Sequence, residues 1–202
     1  MKKWMTLSLF ALAIVACKQP AQVEDAITIN NTAEADTNQV PLQTPNTSAT
    51  SSTVAVSDKQ FSQWALDYEL EDTTGKKVRL GEIINQHIGQ PLVIDVWATW
   101  CPDCIKAIPA TKELMASHPE AKIVYLSVDR ERAKWNDGIK KYDLQGAHYF
   151  IPDGMKSPFG KDLELDWIPR YILLDKTGKI VTFRAIEKDF EAMHTTLTEL
   201  KK

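Results

Sequence analysis

The sequence predicts an α/β domain with a central mixed β-sheet flanked by helices, and three stretches carry that prediction. Leu92 to Trp97 is a continuous apolar, β-branched run with one acid in it, which suits a central strand covered on both faces. A helix opening at Pro102 and a second apolar strand, Lys122 to Val128, follow it to make a βαβ unit, which is parallel and right-handed in nearly all proteins. Tyr171 to Leu174 and Lys179 to Phe183 alternate around Asp175-Lys176-Thr177-Gly178 and so predict an antiparallel hairpin. Parallel and antiparallel pairings then share one sheet. With 202 residues, 44% of them hydrophobic, the chain can bury one domain-sized core with a tail to spare. The net charge of −3 is too small to point to nucleic acid or an acidic surface as partner.

Taken in order, residues 1–17 carry Lys2 and Lys3, then a thirteen-residue mostly apolar run ending in Ile14-Val15-Ala16-Cys17. This reads as a secretory signal, since a spanning helix needs ~20 apolar residues. The small residue before the cysteine resembles a bacterial lipobox, which implies that Cys17 is lipidated and heads the mature protein. Acylation would also settle the cysteine count, because three cysteines otherwise leave one odd. Residues 18–60 are rich in Thr, Ala, Asn, Gln, Ser and Pro, and the stretch from Lys18 up to Gln60 has no aromatic residue, so it cannot build a core. Treated as a coil, this linker spans on the order of 35 Å.

Residues 61–202 are expected to form the globular domain. Leu66 to Leu80 reads as two short strands around an Asp-Thr-Thr-Gly turn, followed by a short helix near Glu82 to His87. The helix from Pro102 runs to about Ser117 and contains Pro109, a packing feature. Arg130 to Tyr142 is a charged surface helix with Trp135 and Ile139 on one face, and Arg130-Glu131-Arg132 reads as a solvated face. Gly146 to Ile151 is a short strand or extended loop, and Ser157 to Leu165 a turn or short helix. A final helix, Asp189 to Leu200, spaces Phe190, Met193, Leu197 and Leu200 along one face. His87, His118, His148 and His194 are scattered and read as surface or capping residues.

The chemistry concentrates where the Leu92 strand breaks into the Pro102 helix. Cys101 falls where the N-cap belongs, and Pro102 at the first helical position, where its missing N–H costs nothing. A thiol at a helix N-terminus faces unpaired N–H groups and the positive dipole end, so its thiolate is favoured. Cys104, one turn in, can close a disulfide and be released again, giving thiol–disulfide exchange without a cofactor. Two residues of spacing pin nothing distant, so an inert structural bridge gains little. A structural zinc site needs a second ligand pair that the chain lacks, and c-type haem would need His where Ile105 stands.

Trp97, Ala98, Trp100, Cys101, Cys104 and Pro109 resemble the active-site signature of thioredoxin-like proteins, and the wider pattern resembles the extracytoplasmic TlpA/ResA branch. That resemblance implies a thioredoxin-like fold with an N-terminal β extension and an inserted helical segment after the Lys122 strand. It implies Cys101 as nucleophile and Cys104 as resolving thiol. Asp95 matches the position of an acid thought to deprotonate the inner cysteine, and burial in an apolar strand would raise its pKa toward neutrality. A Glu that many ResA-like members carry three residues after the second cysteine is Ala107 here, so Asp95 would work alone. Pro169 falls where the fold places a cis-proline, which would present the Ile168 backbone to an extended substrate strand. Trp100, with Trp97, would offer an apolar landing surface, and Pro102 would lie in the same contact region.

Asp103 bears on direction. Its negative charge beside Cys101 opposes the thiolate, and a less stabilised reduced form makes a weaker oxidant. The expected activity is therefore disulfide reduction in the bacterial cell envelope, on a periplasm-facing domain anchored by lipid, with the outer membrane favoured because Lys18 follows Cys17. Protein disulfides or thiols would be substrates, a membrane dithiol protein the electron donor, and no metal or other cofactor is expected. Two other activities occur on this fold. A copper-binding metallochaperone usually spaces its cysteines by three residues and adds a distal His; a thiol peroxidase expects Thr or Ser where Ala98 stands.

Overall fold

The computed structural model describes residues 58–202; the signal, Cys17 and nearly all of the linker expected above lie outside them. The described chain opens with α1 (Gln63–Asp67), which the sequence reading missed by taking Leu66 as the start of a strand. Ser62 explains it, since its hydroxyl accepts from the Ala65 N–H and caps the turn while Ala65 is buried. Strands β1 (Glu69–Asp72) and β2 (Lys77–Arg79) form the expected hairpin, with Asp72 accepting from the backbone of Thr74 and Lys76 across the turn. Helix α2 (Leu80–Asn85) follows, and Glu82 reaches back to the Arg79 N–H.

The centre is β3 (Leu92–Trp97), buried at every position as its continuous apolar run requires. Helix α3 (Pro102–Ser117) leads to β4 (Lys122–Ser127), parallel to β3 and in register from Leu92↔Lys122 to Trp97↔Ser127. The inserted segment holds α4 (Arg132–Lys141) and β5 (Ala147–Phe150). Helix α4 starts two residues later than expected and hides Trp135 completely, so one face belongs to the core. Then come α5 (Pro158–Asp162), β6 (Arg170–Leu174), β7 (Ile180–Ala185) and α6 (Phe190–Leu200).

The seven strands lie in the order β2-β1-β5-β4-β3-β6-β7, with β3, β4 and β5 parallel and the remaining pairs antiparallel. This is the mixed α/β sheet the sequence predicted. The insertion is part of the sheet itself: β5 stands between β4 and the N-terminal hairpin, pairing Glu71 with Phe150. Both parallel crossovers run the same way, so α3 and α4 cover the same face. Thr111 of α3 meets the Tyr171 hydroxyl at 2.9 Å, which identifies that face as the one carrying Tyr171 and its in-register neighbours Asp95 and Tyr125. Helix α6 joins α3 there, Phe190 packing on Tyr171.

Candidate active site

Strand β3 ends at Trp97 and the chain turns at once, the Cys101 N–H donating to the Ala98 carbonyl at 3.2 Å. Cys101 is the N-cap of α3 and Pro102 takes the first helical position. The orphan N–H of Cys104 donates to Cys101 Sγ at 3.1 Å, so one free amide of the helix's first turn is spent on that sulfur. Cys101 and Cys104 are joined in a disulfide, with Cα atoms 5.3 Å apart. Both are nearly covered, 4% and 3% exposed. The α3 residues that face the sheet are Cys104, Ala107, Thr111 and Leu114, at helical spacing.

Two segments close around the sulfurs. The loop into β6 brings the Ile168 carbonyl oxygen to 3.5 Å from Cys101 Sγ, and the Ile168–Pro169 peptide is cis. Trp100 and Trp167, by contrast, are about half exposed, at 53% and 50%, one on each of the segments that meet at Cys101. Trp97 is buried, edge-on to Tyr125 and Tyr142, and belongs to the core. A hollow of about 400 Å³ beside Trp100 is lined by Thr99, Asp129, Arg130, Glu131 and Lys134. The larger hollow, about 500 Å³, lies at the far end of β6 by Ile88 and Gly178 and touches neither sulfur.

Asp95 lies inside the sheet, 5% exposed, on the face that α3 covers. Its Oδ1 has no hydrogen-bond partner among the described residues, and burial pushes its carboxyl from 3.8 up to about 8. Tyr125 and Tyr171 flank it in register on β4 and β6. Burial first, and the Asp95 charge second, hold both phenols well above their ordinary value. Among the described residues no cation offsets the acid. Its carboxyl therefore favours the protonated form at neutral pH, on the face covered by the helix that bears Cys104.

One buried acid escaped the sequence reading. Asp129, 2% exposed, accepts from the Thr99 N–H at 3.1 Å, the Thr99 hydroxyl at 2.6 Å and the Ser127 hydroxyl at 2.9 Å. It ties the end of β4 to the turn that delivers Trp100 and Cys101. Gly138 of α4 presses on the same Thr99, since a Cβ there would overlap the Thr99 methyl group. An acid directly after an apolar strand is the one sequence signal that marked Asp129.

His194 is exposed and His118 is a capping residue, as expected, but two histidines are more covered than a surface position implies. His118 caps α3 but is buried, its Nε2 3.0 Å from His194 Nδ1, and half-buried His148 stacks on Tyr125. Each ring can leave the surface because a polar neighbour meets its nitrogen, the Leu144 carbonyl in the case of His148. Among the described residues no three His, Cys, Asp or Glu side chains converge in a way that could hold a metal ion.

Comparisons with known proteins agree with this geometry. The family described as thioredoxin-like matches residues 89–180. The thiol–disulfide oxidoreductase ResA of Bacillus cereus is 28% identical over 124 residues, 60% of this chain and 68% of that protein. A Bacteroides vulgatus protein, described as a candidate thiol–disulfide oxidoreductase and solved in solution, is 31% identical with a TM-score of 0.55, covering 66% of this chain and 86% of its own. The structure of a thiol–disulfide oxidoreductase from Bacteroides fragilis is 26% identical with a TM-score of 0.57, covering 67% and 98%.

Proposed function

From the premise that the chain belongs to the thioredoxin-like thiol–disulfide oxidoreductases, we propose that it is a disulfide reductase of the bacterial cell envelope. The Cys101 sulfur capping α3 and accepting the Cys104 N–H carries the thiol–disulfide exchange in this reading, and Asp103 its direction. A negative charge on that sulfur meets a helix dipole and a hydrogen bond already in place, so the thiolate of the reduced protein needs no rearrangement to form.

In the reduced protein the Cys101 thiolate attacks one sulfur of a substrate disulfide, and the other leaves as a thiol after taking a proton. Cys104 then gives its proton to the ionised form of Asp95 and attacks Cys101 Sγ, and the second substrate sulfur is expelled and leaves as a thiol on taking that proton. Two electrons pass to the substrate, and the protein is left with the disulfide seen here. A membrane dithiol donor of electrons returns it to the reduced state. Trp100, Pro102 and Ile168 form the contact surface, the Ile168 backbone pairing with an extended substrate segment.

Asp103 supports the reducing direction. It is the acid in the first turn of α3, and its charge next to Cys101 disfavours the thiolate. Location rests on the residue 1–17 pattern and the Cys17 lipobox; no helix among the described residues is long and apolar enough to cross a membrane. Cys17 would tie the domain to the membrane by lipid, the outer one favoured by Lys18, and residues 18–60 would give it reach.

The test is insulin reduction by the reduced protein together with equilibration against glutathione. Turnover that vanishes in Cys101→Ser, with a potential nearer ~ −270 mV than ~ −120 mV, is expected. A potential at the upper end would make the protein an oxidant.

A further inference from the structure

The loop between α5 and β6 brings the Ile168 carbonyl to the dithiol and carries the half-exposed Trp167 as the preceding residue. Its backbone does not hold that shape unaided: Glu164 sits at φ +51, in the left-handed region that costs a side chain energy. Charge holds it instead. Arg170, the residue after Pro169, is only 2% exposed and lies opposite Val96 of β3. Its guanidinium donates to the Glu164 carbonyl at 3.1 Å and to the Asp166 carboxylate at 2.5 Å, while its Nε has no partner among the described residues. From outside, Arg184 of β7 donates to Glu164 at 3.0 Å and to Asp166 at 2.6 Å. Lys59 adds a contact to Glu164 at 2.5 Å.

Packing alone does not ask for this arginine. The rest of β6 is Tyr-Ile-Leu-Leu, wholly buried, and a guanidinium is costly among such neighbours unless its partners are fixed. Those partners are all on the one loop. Hydrogen bonds from Arg170 and then Arg184 hold the Asp166 carboxyl below its ordinary range, and those from Lys59 and Arg184 do the same for Glu164, so the clamp is charged at neutral pH.

We propose that Arg170 is a positioning residue for polypeptide substrates: with Arg184 it locks the loop so that the Ile168 backbone, preceded by Trp167, stands ready beside Cys101. It thereby sets the preference for polypeptide disulfides over small ones. A polypeptide must lie along the loop to present its disulfide, whereas a small disulfide reaches the sulfur without it. This rests on the oxidoreductase reading above.

Arg170→Lys, Asp166→Asn and Arg184→Met are compared with the wild type on insulin and on a small aromatic disulfide, with the glutathione equilibrium measured for each. Asp166 and Arg184 are at the surface, so their variants keep the test alive if Arg170→Lys does not fold. The expected result is a rise of about tenfold in KM for insulin in Asp166→Asn and Arg170→Lys, and a smaller rise in Arg184→Met, with kcat, the small-disulfide rate and the equilibrium at wild-type values. Parallel loss on both substrates, or no change on either, overturns the clamp. A wild-type protein inactive on both overturns the oxidoreductase reading, and the clamp with it.

Discussion

Replacing Asp95 by Asn should stabilise the protein, and by an amount that depends on pH. Burial pushes this carboxyl from 3.8 up to about 8, so the folded protein binds a proton at pH 7 that the unfolded chain has released. At 1.36 kcal/mol per pH unit, the climb from 3.8 to 7 costs folding up to about 4 kcal/mol. The sign follows from the raised value. Below 3.8 both states are protonated and nothing is lost; stability falls as pH rises toward 8 and levels off above it. Asn has nearly the same shape and no proton to take up, so it escapes this cost. Guanidinium unfolding of oxidised wild type and Asp95→Asn at acid, neutral and alkaline pH should give a difference that is small near pH 4, grows to a few kcal/mol at pH 7 and then flattens. Taking the difference cancels the other carboxylates. A difference that is the same at every pH would refute the reasoning, because it would mean that Asp95 does not titrate in this window. The same variant should reduce insulin more slowly, with a deficit that widens as pH rises toward 8 and the Asp95 carboxyl ionises, since Cys104 loses its proton acceptor.

Three further outcomes are expected. Cys104→Ser should trap mixed disulfides on Cys101, seen as adducts that dithiothreitol releases; adducts on Ser-for-Cys101 protein instead would reverse the two roles. Asp129→Ala leaves the Thr99 N–H, the Thr99 hydroxyl and the Ser127 hydroxyl without their acceptor and should destabilise by about 3 kcal/mol in urea unfolding. Gly138→Ala drives a methyl group against Thr99 and to 3.3 Å from Trp97, and a loss of about 1–3 kcal/mol should appear in the same measurement.

How far the site was legible can be followed residue by residue. The N-cap position of Cys101, Pro102 at the helix start and the burial of Asp95 are local consequences of a strand running straight into a helix, and each is where the sequence pattern put it. Helix α1 was not legible, because five residues carry too little periodicity and its cap is a single serine. Arg170 and Gly138 were invisible as site residues, and Asp129 showed only as an acid after an apolar strand. Asp129 meets Thr99 across 30 residues, and the acids that Arg170 holds are held as well by Arg184 from the next strand.

Short-range physics was thus enough for the sequence to determine the α/β class, the order of the main strands and helices after α1, and the two sulfurs at a helix N-terminus, since all of these depend on neighbours a few residues apart. Only the tertiary structure decided that the inserted β5 joins the N-terminal hairpin to the sheet, that Asp95 sits between two tyrosines, and that a buried arginine grips the loop beside Cys101. These depend on which segments meet across the sheet, and charge and burial at a site are sums over such meetings.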